Sequence, residues 1–169
     1  RLEIKSQFGS GTTVRISLPC SDPPPWGTAV IRVRPGQAVV VADDDSAIVE
    51  MWTGRLSALP FAPQVFSAGT PPQLRALEAP PDALLLIDLE FDGFADSGLS
   101  LIRELQAESR AILVTGRHDE NWVQEECATR GIRLLPKEEA GSVPIRLLEH
   151  AGLETAVLID DDPLVRMNW

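Results

Sequence analysis

Four apolar runs along the chain each stop on a polar residue. Val39 to Ala42 stops on Asp43, Asp44 and Asp45. Leu84 to Ile87 stops on Asp88, Ala111 to Val114 on Thr115, and Ile132 to Pro136 on Lys137. Short apolar runs bounded by turn residues read as strands covered on both faces of a parallel sheet. Between them the periodicity becomes helical. Ile48, Met51, Trp52, Leu56 and Leu59 recur at helical spacing behind Asp45 and Ser46, both competent N-caps. A further strand is expected over Pro63–Ser67, and helices over Pro72–Glu78, Leu99–Gln106 and Glu120–Arg130. The last of these carries Trp122, Val123 and Cys127 on a stripe expected to pack in the core. A closing helix is expected over Ser142–His150, with Pro144 tolerable in its first turn. Strands that alternate with helices predict an α/β fold with a doubly wound parallel sheet.

The two ends of the chain show other patterns. Leu2–Lys5 and Thr13–Leu18 alternate apolar and polar residues around a glycine-rich turn, which predicts a short β-hairpin. Residues 20–36 hold Pro23, Pro24, Pro25, Pro35 and Gly36 and read as a linker, in which Ala29–Val33 has the composition of an optional strand. At the far end, Thr155–Trp169 repeats the start of the first strand and helix. Asp160, Asp161 and Asp162 fall on Asp43, Asp44 and Asp45, and Trp169 falls on Trp52. A repeat at this period points to a second copy of the same domain. A strand and helix belonging to the first domain is the other reading.

Composition narrows the class. The 169 residues make room for one ordinary domain plus fragments, and 44% of them are hydrophobic, enough for a core. A net charge of −10 lacks the basic footprint of a nucleic-acid binder. Cys20 and Cys127 have no metal-ligand spacing and read as free thiols of a reducing compartment. No apolar run reaches the ~18 residues of a membrane span. The chain starts at Arg1, so it is expected to be cut from a longer protein whose missing part could hold membrane segments. His118 and His150 are isolated and read as surface histidines. Neither a P-loop nor a Gly-x-Ser-x-Gly elbow is present.

Parallel strands bring their carboxyl ends together, and ligands of such sheets bind there. One strand then supplies Asp43 and Asp44, and the others Asp88, Thr115 and Lys137. Hard carboxylate oxygens suit Mg²⁺, which takes few protein ligands. A carboxylate beside a divalent cation, an amine and a hydroxyl is equipped to accept a phosphoryl group. The cations neutralise the transferring oxygens, and the hydroxyl hydrogen-bonds to one of them.

Over about Gln37–Leu153 these residues, in this order and spacing, resemble the receiver domain of two-component response regulators. The resemblance implies a flavodoxin-like, five-stranded sheet of order 2-1-3-4-5. It implies that Asp88 is the phosphoacceptor, that Asp43, Asp44, Asp88 and the backbone carbonyl of Glu90 hold Mg²⁺, and that Thr115 and Lys137 contact the phosphoryl oxygens. The donor would be a histidine kinase or a histidine phosphotransfer domain. Gly9, Gly11 and Thr12 resemble the last glycine box of a histidine-kinase ATP-binding domain, of which residues 1–19 would be the tail. Residues 154–169 resemble the start of a second receiver, with Asp160 and Asp161 as a metal pair lacking its acceptor. Together these imply a cytoplasmic piece of a hybrid sensor kinase, with no nucleic-acid partner and no membrane contact of its own.

Three departures stand against the family pattern. No Met-Pro pair follows Asp88, Leu134 stands where receivers carry a switch aromatic, and Glu138 follows Lys137 in place of proline. A trans Lys137–Glu138 peptide is therefore expected. They motivate an alternative, a receiver-like interaction module that is not phosphorylated. Glu90 and Arg117, each two residues past a site residue, are expected to pair over the phosphoryl group and slow attacking water. Asp92 and Asp96 read as solvated loop acids.

Overall fold

The structure, a computed structural model, describes residues 2–7, 11–16 and 26–148. Strands β1 (Leu2–Gln7) and β2 (Gly11–Ile16) form an antiparallel hairpin in which Leu2 faces Ile16 and Ile4 faces Val14. Gly11 takes φ +99°, a conformation that favours glycine.

The central sheet has five parallel strands: β4 (Val39–Ala42), β5 (Val65–Ala68), β6 (Leu84–Asp88), β7 (Ala111–Thr115) and β8 (Arg133–Pro136). Their order is β5-β4-β6-β7-β8, the 2-1-3-4-5 order of the flavodoxin-like receiver fold. Register places Ala42 opposite Ile87 and Asp88 opposite Val114, so the carboxyl ends lie side by side.

Successive side chains on a strand point to opposite faces, and both faces are covered. Val40, Leu85, Ile87 and Leu113 pack beneath α2 (Pro71–Ala76), α3 (Gly98–Glu104) and α4 (Asn121–Arg130). Val39, Val41, Leu84, Leu86, Ile112 and Val114 pack against Trp52 and Leu56 of α1 (Ser46–Ser57). Asp45 caps α1 by accepting the Ala47 N–H, as its position predicts.

The flank beside α1 differs from expectation. Residues 142–148 do not form the closing helix. Ile145–Leu147 is strand β9, parallel to β3 (Ile31–Val33) within the stretch read as linker. Pro144 supplies no N–H, but its carbonyl accepts from Ile31 at 2.9 Å, and the Leu148 N–H donates to Val33 at 2.7 Å. Ile31 and Val33 are fully buried and belong to the same core cluster as Trp52 and Leu56. Arg55 of α1 lies over Trp52 at 5.3 Å and donates to the carbonyls of Ala140 and Val143, tying helix to flank. Just upstream of β3, Gly27 bridges to Leu134 and the Thr28 N–H donates to the Leu134 carbonyl at 2.9 Å, capping the outer edge of β8.

Trp122 is a second difference. Val123 and Cys127 are buried as expected, but Trp122 is 47% exposed. No helix among the described residues is long and apolar enough to cross a membrane. Gly9, Cys20, His150, Asp160, Asp161 and Trp169 lie outside the described residues.

Candidate functional site

Asp43, Asp44 and Asp88 sit where the carboxyl ends of β4 and β6 meet. One carboxylate oxygen from each lies within 4.8 Å of the others, the kind of donor set a hard cation takes. Asp43 and Asp88 are buried and Asp44 is exposed, so the cluster opens to solvent on one side. Backbone groups fix the acids. Asp43 Oδ1 accepts the Asp45 N–H at 2.9 Å, Asp88 Oδ1 accepts the Leu89 N–H at 2.7 Å, and Asp44 Oδ2 accepts the Asp92 N–H at 2.8 Å.

Lys137 reaches this cluster from the end of β8. Its Nζ lies 2.8 Å from Asp88 Oδ2 and 3.0 Å from Asp43 Oδ2. The Lys137–Glu138 bond is trans, as no cis peptide is found among the described residues. Burial pulls the Lys137 ammonium toward lower pKa, but its hydrogen bonds to Asp88 and Asp43 outweigh this, and it lies above its ordinary value. Burial pushes Asp43 up from its ordinary value, against the opposing pull of Lys137 and the Asp45 N–H. An acid that is costly to ionise beside a cation that is easy to keep gains from any further positive charge brought to the cluster.

Thr115 ends β7 on the same sheet edge. It is buried, and its hydroxyl accepts the Arg117 N–H at 3.1 Å. Arg117 Nη1 donates to Glu90 at 2.5 Å, which ties the loop after β7 to the loop after β6. Asp96 instead pairs with Arg75 at 3.0 Å, and Asp92 contributes its backbone to Asp44, so neither side chain joins the acidic cluster. Gly11 and Thr12 lie in the hairpin.

His118 is less exposed than a surface histidine. Its ring sits 6.0 Å from that of Trp26, and Nε2 lies 3.5 Å from Glu138. Leu134, at the place of the absent aromatic, is fully buried in the core.

Some residues at this edge escaped the sequence reading. Gly98 opens α3 directly against β6: a Cβ there would lie 1.9 Å from the Asp88 carbonyl oxygen and 3.2 Å from Leu113 Cδ1. Its N–H donates to the Leu89 carbonyl at 2.7 Å. A glycine at the start of a helix carries no signal for such a close approach. Glu120 and Trp122, which surround Arg117, were placed on their helix without a role at the site.

The chain matches no family model and no curated protein. Among solved structures, it resembles the adenylate cyclase from Rhodopirellula baltica with a TM-score of 0.51 and 20% identity, over 60% of this chain and 76% of that one. The likeness is one of fold. The receiver domain of a Francisella response regulator aligns with TM-score 0.48 and 19% identity, over 60% and 84% of the two chains. A response regulator receiver protein from Pseudomonas putida aligns with TM-score 0.47 and 22% identity, over 60% and 86%.

Proposed function

We propose that this chain is a phosphoacceptor receiver of a two-component phosphorelay, within a hybrid sensor histidine kinase. The observation that carries the reading is the meeting of Asp43, Asp44 and Asp88 with the Lys137 ammonium at one sheet edge. Asp88 attacks the phosphorus of a phosphohistidine on a histidine-kinase or phosphotransfer domain. The P–N bond breaks, an acyl phosphate forms on the Asp88 oxygen, and the imidazole leaves with its electron pair. Lys137, already against Asp88, neutralises charge on the incoming oxygens, and Thr115 offers its hydroxyl to one of them. The three acids fit Mg²⁺, with the Glu90 carbonyl as a further ligand. Bound there, the cation supplies electrostatic stabilisation of the phosphoryl oxygens.

Intact mass after incubation with acetyl phosphate and Mg²⁺ tests this reading. One labile phosphoryl adduct is expected on the native chain and none on Asp88→Asn. The second reading, an interaction module that is never phosphorylated, is favoured by Glu138 after Lys137, by buried Leu134, and by the strand pair in place of the closing helix. It predicts no adduct under any donor, and Mg²⁺-independent partner binding that Asp88→Asn leaves unchanged.

A further inference from the structure

One guanidinium at the rim of the Asp88 site is held from three directions. Arg117 Nη1 donates to Glu90 across the gap between the two loops. Its Nε and Nη2 donate to the two carboxylate oxygens of Glu120 at 2.5 and 2.9 Å, a fork-on-fork pair. Its Cζ lies 5.4 Å from the ring centre of Trp122, and the indole N–H of Trp122 donates to Glu120 Oε2.

The placement of Glu120 is informative. It is the N-cap of α4, where Ser, Thr, Asp and Asn satisfy the free N–H groups best, yet its side chain makes no capping hydrogen bond. The carboxylate turns instead to Arg117 and Trp122. Trp122 is equally unlike its neighbours Val123 and Cys127. It leaves the core, lies under the guanidinium, and lines a groove of about 490 Å³ between α3 and α4 with Leu99, Arg103 and Arg130. The ion pairs raise the Arg117 pKa above its ordinary value and lower that of Glu120, so both stay charged.

We infer that Glu120 and Trp122 are positioning residues that hold Arg117 against Glu90 across the loops that follow Asp88 and Thr115, and thereby set how long a phosphoryl group on Asp88 survives. This rests on the reading of Asp88 as phosphoacceptor. In hydrolysis a water oxygen attacks phosphorus, and the bond from phosphorus to the Asp88 oxygen breaks. The carboxylate leaves with the electron pair, and the water proton passes to phosphate or solvent. The Arg117–Glu90 bridge spans the two loops that flank the acceptor, so it narrows the approach of that water. Glu120 clamps the guanidinium from one side, and the Trp122 ring supports it from below. Without them Arg117 swings off Glu90 and the acyl phosphate is exposed.

The test follows decay of the adduct by intact mass after acetyl phosphate is removed from the purified chain. Glu120→Gln is expected to shorten the lifetime about two- to fivefold, the scale of an exposed ion pair expressed as a rate. Trp122→Phe keeps a ring beneath the guanidinium and is expected to stay near the native lifetime, whereas Trp122→Ala shortens it. The decisive comparison is a cycle with Arg117→Ala. On that background Glu120→Gln is expected to have no further effect, an outcome that general loosening of α4 does not produce. An unchanged or longer lifetime in Glu120→Gln, or equal shortening with and without Arg117, overturns the inference while leaving the acceptor reading intact. Absence of any adduct on the native chain overturns both.

Discussion

At the carboxyl ends of β4, β6, β7 and β8 each candidate site side chain follows directly from the strand that presents it. Asp43, Asp88, Thr115 and Lys137 need only their own apolar runs and a parallel arrangement to converge. On the flank beside α1, Ile31 is in a strand because Ile145, far along the chain, lies opposite it. The first region is rich in chemistry and opens to solvent at Asp44. The second has buried apolar residues and backbone ladders. Substitutions should therefore separate them: damage at the strand ends removes chemistry, and damage on the flank removes stability.

The largest effect is expected at the strand ends. Lys137→Met takes the ammonium from Asp88 and should slow labelling by acetyl phosphate about 100-fold, the scale for losing a group that stabilises transition-state charge. Near-UV circular dichroism should stay native. On the flank, Ile31→Ala should cost about 2–5 kcal/mol in urea unfolding, as for a large side chain removed from a packed core. Its folded fraction should label at the native rate. A slower rate in Ile31→Ala with unchanged stability would erase the distinction between the two regions.

Gly98 tests where the regions join, because α3 there touches the backbone carbonyl of Asp88. Gly98→Ala places a Cβ 1.9 Å from that oxygen and should cost about 1–3 kcal/mol while also slowing labelling. Gly54→Ala in α1, with nothing within 4 Å of the added Cβ, should leave labelling alone and gain stability up to about 1 kcal/mol.

A last test concerns Cys127 on the buried face of α4. Burial pushes its thiol from 9.0 to about 11. Alkylation by iodoacetamide at about pH 8 should be slow in the native chain and fast in urea. The folded state favours the protonated thiol, so its contribution to stability is full below the unfolded value of 9.0 and is lost as pH rises through about 11. The urea midpoint of the native chain relative to Cys127→Ala should fall across that window.

The contrast between the regions also explains what could be read from residues alone. The strands β4, β6, β7 and β8, α1 with its Asp45 cap and the acid cluster were legible because each is written in local runs of apolar residues with a polar stop, whereas the strand order came only from the resemblance to receiver domains. The flank was not. Ala29–Val33 looked optional and Ser142–His150 looked helical because a three-residue strand gains its N–H and carbonyl partners from a distant segment, and no local periodicity records that pairing. Trp122 misled for a related reason. Helical spacing put it with Val123 and Cys127, but Arg117 and Glu120 hold it at the rim of the site. Gly98 was silent because a missing side chain leaves no pattern to read.

The central claim is that Asp88 itself receives the phosphoryl group, and borohydride reduction tests it most directly. After incubation with acetyl phosphate and Mg²⁺, reduction converts an aspartyl phosphate to homoserine, which peptide mass locates. The account predicts homoserine at position 88 of the native chain and none in Asp88→Asn. Homoserine at another acid, or at none, would contradict it.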